Sequence, residues 1–300
     1  AEESARKLAQ RCSSSVSPMT PAAFESTARH RRKPRFGACS HGTGPWPRQP
    51  QAAAGLVEVA EPLMAALGRA GARLQLVRRH RRPHEDAAGV PHPDQPVMLV
   101  DSRAGTVGHG TWREPGDLVA LAERFDDPPE RSDEPVVLVC AHGRRDVCCA
   151  IEGRVVAAVL DDVLPGAVWE TTHLGGDRFA ANVAYLPEGS MFGGLDGSTA
   201  PEVLLAHLDG RTDLGFWRGR STWTSQVQAA VADVLREPGL SLPEVTGVGQ
   251  HGDGADAWVV TVDVAGVRRV RRVTRTLTTP RRLTCQAGVG QAAVWHVSPL

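Results

Sequence analysis

Lysine is nearly absent from this chain of 300 residues, occurring only at Lys7 and Lys33, while arginine is abundant. With the high alanine, glycine and valine content, that scarcity reads as the codon bias of a GC-rich genome rather than a functional choice. Formal net charge is zero, so no global electrostatic reason exists to expect nucleic-acid or membrane binding. No run approaches the roughly 18 apolar residues of a spanning helix, and the charged residues 1–10 lack the apolar centre of a secretory signal. A cytoplasmic, reducing location is the expectation, and there cysteines serve more often as ligands or redox thiols than as bridges. The chain also has no Cys-x-x-Cys pair, no P-loop, no nucleotide-binding fingerprint and no Gly-x-Ser-x-Gly elbow. Gly105-Thr-Val-Gly-His-Gly110 is too loosely spaced to count as one.

The length exceeds what one small core requires, so two domains or one elaborated domain are expected. Residues 1–50 read as an irregular arm, with Ser, Pro and Gly clusters and the basic run Arg29-His-Arg-Arg-Lys-Pro-Arg35. Residues 51–130 read as a smaller α/β domain. The spacing of Leu56, Val59, Leu63 and Leu67 predicts a helix over residues 55–72, followed by strands at 73–77 and 97–101 and a helix at 115–125. The Pro-broken stretch 126–135 is the linker. From 135 to 240 the pattern predicts a buried strand (136–140), a helix (150–163), a strand (167–172), paired strands (181–186 and 191–195) and a helix (199–208). That is an α/β order with a thioredoxin-like layout. Residues 255–300 predict a C-terminal β-hairpin, because residues 258–264 and 267–273 alternate around Ala265-Gly266. Its basic strand, residues 268–275, reads as the wet side of the hairpin rather than a docking stripe.

Two segments carry the chemistry: Cys140-Ala-His-Gly-Arg-Arg-Asp-Val-Cys-Cys149 and His173-Leu-Gly-Gly-Asp177. Thiolate is a soft ligand suited to iron-sulfur clusters and zinc, and imidazole completes either kind of site. Glycines between the His and the Asp would let backbone approach a ligand closely. Asp146 suits an N-cap for the helix carrying Cys149, Asn182 suits a loop-holding role, and His142 suits hydrogen bonds to backbone. Arg144, Arg145 and Arg178 are placed either to compensate ligand charge from behind or to sit as solvated loop charges.

With Val-Cys140 through Cys149-Ala, Thr172-His173-Leu-Gly-Gly-Asp177-Arg-Phe-Ala-Ala-Asn182 and Gly219-Arg-Ser221, the chain resembles the sucrase/ferredoxin-like family of thioredoxin-fold 2Fe-2S proteins. The similarity is strongest over residues 136–228, with weaker likeness at Gly44-Pro-Trp46 and Leu283-Thr-Cys285. The resemblance implies a 2Fe-2S cluster held by two cysteines spaced Cys-x8-Cys and two histidines spaced His-x3-His. Those positions fall on Cys140, Cys149 and His173, and the second His position is Asp177 here. Three readings of that departure stay open: Asp177 ligates directly, Cys148 swings in, or the site is incomplete and holds a labile cluster, zinc or nothing. A neutral imidazole in place of a thiolate leaves a less negative centre that accepts an electron more readily. A potential above plant-type ferredoxins is therefore expected, and one that varies with pH if His173 ionises.

A second departure lies upstream, where the family's apolar strand before Gly-Pro-Trp is replaced by residues 29–42. Cys39, inside that stretch, is given no family role. No pair of residues supports the sucrase in the family's name; Glu170 and Asp177 are merely close in sequence. The expected function is an electron carrier rather than a bond-making enzyme, passing electrons to a redox partner protein or small-molecule acceptor, with no membrane or nucleic-acid partner. The alternative is a dithiol oxidoreductase or zinc-binding module on the same fold.

Overall fold

The computed structural model describes residues 23–25, 35–40, 45–80, 94–283 and 288–300, with backbone alone at 23–25, 38–40 and 177. Strands β1 (Ala23–Glu25), β2 (Arg35–Ser40), β3 (Ala72–Arg78), β4 (Gln95–Asp101), β5 (Thr106–Trp112) and β6 (Glu130–Ser132) enclose helices α1 (Ala60–Arg69) and α2 (Pro115–Glu123) along the first part of the chain. Then follow β7 (Val136–Cys140), α3 (Val147–Val163), β8 (Val168–Thr171), β9 (Asn182–Leu186), β10 (Ser190–Gly193), α4 (Thr199–Leu208), β11 (Trp217–Arg220) and α5 (Ser225–Val234). The chain finishes in β12 (Val245–Gly252), β13 (Ala257–Val264), β14 (Val267–Leu277), the short pair β15 (Arg281–Arg282) and β16 (Val289–Gly290), and β17 (Ala293–Pro299). This is a mixed α/β protein.

Ten strands make one mixed sheet in the order β11-β10-β9-β7-β8-β3-β2-β4-β5-β6. It crosses the Pro-broken linker, because β8 pairs antiparallel with β3 through Val77↔Thr171 and Arg78↔Glu170. β7 and β8 are parallel, Cys140 lying opposite Thr171. Every residue of β7 is buried, which explains its continuous apolar run: both faces of a central strand are covered, so no polar alternation survives. Val137 and Val139 face Val156, Ala157 and Leu160 of α3 in one core cluster. Leu138 and Cys140 belong to another, with Val77, Met98 and Leu186. A third core joins α1 and α2 to Leu74 and Leu76 of β3.

Several expectations change. The arm expected to be irregular contains β1 and β2, and β2 lies parallel to β3 and antiparallel to β4. An apolar strand before Gly-Pro-Trp is therefore replaced by Arg35-Phe-Gly-Ala-Cys-Ser40 rather than lost; the rest of the basic run, residues 29–34, lies outside the described residues. β5 occupies a glycine-rich stretch for which no element is predicted. Its glycines answer to packing: a Cβ on Gly108 would sit 2.4 Å from Pro128, and one on Gly110 would sit 3.0 Å from Leu121.

The C-terminal hairpin is real, with Val264 opposite Val267, but it is the centre of a five-stranded antiparallel sheet, β1-β17-β14-β13-β12. Helix α5 packs between that sheet and β11, and seven of its ten residues are buried. The arginines of β14 are ion-paired: Arg268 with Asp263, Arg269 with Glu237, Arg271 with Asp233 and Glu237, Arg272 with Asp253, and Arg275 with Asp256. No described helix is long and apolar enough to cross a membrane.

Candidate metal centre

Three donors from three places in the sequence converge at the end of β7. Cys140 is the last residue of β7, Cys149 lies in the first turn of α3, and His173 follows β8 after Thr172. The two sulfurs and a ring nitrogen all lie within 4.8 Å of one another, both cysteines fully buried and His173 half-buried. Metal–sulfur bonds of about 2.3 Å allow two ligands of one ion to stand no more than about 4.6 Å apart. The spacing thus suits a single ion or one edge of a small cluster after sub-ångström adjustment, and the soft donor set suits iron-sulfur or zinc chemistry.

Local sequence explains the convergence. Asp146 is extended and accepts a hydrogen bond from the Cys148 N–H at 3.0 Å, starting α3 three residues earlier than the apolar periodicity alone suggests. Cys149 is the third residue of α3 and so lies in the turn where the helix macrodipole is positive. Gly153, one turn on, lets α3 press against β7. Gly175 and Gly176 take φ of +94° and +80°, values that L side chains rarely adopt. A Cβ on Gly175 would touch nothing within 4 Å, so its use is the turn itself rather than a close approach. Asn182 holds the same loop by donating to the Gly176 carbonyl at 2.9 Å.

A hydrogen bond from Cys149 holds the Cys140 thiol well below the ordinary thiol range, against the opposing effect of burial. His173, by hydrogen bond and charge, and the Leu174 N–H act in the same direction. His142, buried, makes the backbone contacts expected of it: its Nε2 lies 2.9 Å from the Pro47 carbonyl and its Nδ1 accepts the His173 N–H at 3.2 Å. The pair of contacts requires the Nε2–H tautomer, and burial pushes the imidazole pKa down. Trp46 stands edge-on to the His142 ring, centroids 6.1 Å apart. Arg78 covers the Trp46 ring at 4.2 Å.

The other named residues divide. The backbone of Asp177 opens a short 3-10 turn, Asp177–Phe179, and its side chain lies outside the described residues. Cys148 is disulfide-bonded, whereas Cys140 and Cys149 are thiols outside any disulfide. In that state Cys148 offers no thiolate to a metal. Arg144 is exposed. Arg145 makes its charge felt at His142 and at Arg73, and Arg178 stacks 4.7 Å over Phe179.

Arg73 was not legible as part of the site. It lies on β3, and its guanidinium donates to the carbonyls of His173 (2.5 Å) and Leu174 (3.5 Å). Burial pushes its pKa down, and Cys140 opposes that. With the Gln75 amide turned so that its nitrogen donates to Thr172, the Gln75 oxygen accepts from Arg73 Nε and Nη2, both at 2.9 Å. Two polar residues at alternate positions among the apolar residues of β3, Arg73 and Gln75, were the available signal.

Comparison with known proteins is sparse. Over 61 residues the chain is 36% identical to altered inheritance of mitochondria protein 32 from Meyerozyma guilliermondii, a match spanning 18% of this chain and 22% of that relative. The chain thus covers about a fifth of that curated relative's length. No solved structure matches significantly. The sucrase/ferredoxin-like family model matches residues 39–227, a span that contains all three converging donors, and the chain belongs to the sucrase/ferredoxin-like family.

Proposed function

We propose that this protein is a cytoplasmic one-electron carrier whose 2Fe-2S cluster is held by Cys140, Cys149, His173 and Asp177 on a thioredoxin-like module. The observation that carries the reading is the meeting of two buried thiols and an imidazole within 4.8 Å. When bound, such a cluster takes up and releases one electron at a time. The chain's own residues do the rest. β7 and α3 present the sulfurs from a rigid, water-excluding core, and His142 and Asn182 fix the loop that carries the imidazole. Half-exposed His173 is the side through which a redox partner protein or small acceptor would approach.

Ultraviolet-visible spectroscopy of anaerobically purified protein, with iron and acid-labile sulfide analysis, tests the proposal. Colour with stoichiometric iron and sulfide is expected; colourless, sulfide-free protein sinks it. Replacing Asp177 by Ala should weaken cluster retention, while Asp177→His, which restores the family's spacing, should keep it. A dithiol oxidoreductase or zinc module is the second reading, favoured by the disulfide at Cys148 beside Cys149. It predicts one equivalent of zinc, or a Cys148 thiol that cycles with small-molecule disulfides.

A further inference from the structure

We infer that Arg73 is a positioning residue for the metal centre, acting on Cys140 through the peptide that joins His173 to Leu174. The inference rests on the cluster-holding reading and names a residue from the opposite half of the ten-stranded sheet. Three groups lie in series. The Arg73 guanidinium donates to the His173 carbonyl oxygen at 2.5 Å. The N–H of that same peptide, on Leu174, donates to the Cys140 sulfur. A charged donor on one end of an amide draws electron density toward the oxygen and makes the N–H at the other end a stronger donor. One peptide therefore receives positive charge from Arg73 and delivers it to the sulfur.

The surroundings hold Arg73 to this task. Its second contact, with the Leu174 carbonyl at 3.5 Å, ties it to the next peptide of the same loop. Gln75 accepts from its Nε and Nη2 at 2.9 Å and is itself fixed on Thr172, the residue before His173. Thr172 Oγ1 accepts the Leu76 N–H at 3.0 Å, and the Thr172 N–H donates to the Leu76 carbonyl at 2.9 Å. β3 and the ligand loop are thus fastened at several adjacent residues, and Phe36 lies beneath the guanidinium at 6.0 Å. Neither Arg144 nor Arg145 makes such a connection among the described contacts. Arg145 opposes the charge on Arg73 rather than sharing the carbonyls.

Positive charge and N–H donation at a ligand sulfur both favour the reduced, more negative state of a cluster. Arg73→Met should therefore shift the ratio of reduced to oxidised protein about tenfold towards oxidised at a fixed potential, a fall in midpoint of about 59 mV for one electron. Arg73→Lys, which keeps the charge, should recover most of that shift. On metal-free protein, amide hydrogen exchange at Leu174 should quicken about tenfold in Arg73→Met, the scale of one lost hydrogen bond. If Arg73→Met does not fold, Arg73→Gln is the neutral comparison. An unchanged midpoint in a folded neutral variant overturns the inference, as does a Leu174 exchange rate indifferent to residue 73. So does an Arg73→Lys protein whose midpoint falls as far as that of the neutral variant, since shape rather than charge would then be the cause. Should wild-type protein hold no cluster, the electron-carrier proposal fails on its own, and Leu174 exchange alone decides the role of Arg73.

Discussion

Gly153 and Cys140 touch through backbone: a Cβ on Gly153 would lie 2.0 Å from the Cys140 carbonyl oxygen. Alanine in a helix interior ordinarily gains about 1 kcal/mol over glycine. Here the overlap is with backbone, which cannot swing aside, so the sign reverses. Gly153→Ala is expected to cost about 1–3 kcal/mol of stability and to push α3 off β7, carrying Cys149 with it. Denaturant unfolding together with cobalt(II) binding to metal-free protein checks both effects.

His142→Ala removes the side chain that accepts the His173 N–H and contacts the Pro47 carbonyl. Leaving buried backbone groups without a partner costs about 1–3 kcal/mol each where water cannot reach them. The larger expected effect is on the ligand loop: metal affinity should fall more than global stability does. A titration with cobalt(II), compared with thermal unfolding of the same variant, separates the two. Affinity unchanged from wild type would show that the loop is held without His142.

Acid should weaken the fold through Glu188. Burial works to raise its pKa, but the hydrogen bond from His207, the charges of Arg220 and His207 and the Ser190 hydroxyl outweigh burial and bring it from an ordinary 4.5 to about 2. A carboxylate depressed in the folded state contributes stability that is full above the unfolded value. That contribution is lost as pH falls from about 4.5 towards 2, a difference worth on the order of 3 kcal/mol. Glu188→Gln should be less stable than wild type at neutral pH and should lose less on acidification. Melting temperatures of both proteins from pH 7 to pH 3 give the comparison.

Arg271→Met tests what fastens the five-stranded sheet to α5. Arg271 is buried and pairs with Asp233 at 2.7 Å and Glu237 at 2.5 Å. Removing one partner of a buried pair costs about 3–5 kcal/mol because the other charges are left without compensation. Arg268→Met, whose pair with Asp263 is exposed and screened by solvent, should cost clearly less. Equal losses in the two variants would contradict the assignment of one as buttress and the other as surface charge.

Legibility followed the reach of the interactions. β7 and α4 coincide with their predicted spans because each rests on local signals: an unbroken apolar run for one, Thr199 with Pro201 in the first turn for the other. Asp146 as N-cap and Asn182 as loop holder were readable for the same reason. β5 was not, since the glycines at 108 and 110 make space for Pro128 and Leu121, residues whose arrival depends on the tertiary fold. β12 and β17 were also missed; they complete a sheet whose hairpin centre alone alternates cleanly. At the site, the approach of Cys140, Cys149 and His173 matches their shared segments. Arg73 contacts a loop 100 residues away, and nothing in its neighbours along the chain announces the partner.

The join between β3 and β8 sets the smallest piece of this chain worth engineering. Excising the carboxy-terminal half as a stand-alone module would strip β8 of a neighbour and leave a raw strand edge open to self-association. The same cut would discard Arg73, Gln75 and the Pro47 carbonyl, all clasped to the ligand loop or its support. A transplantable cassette therefore has to start upstream of Arg35, so that β2 and β3 travel with it.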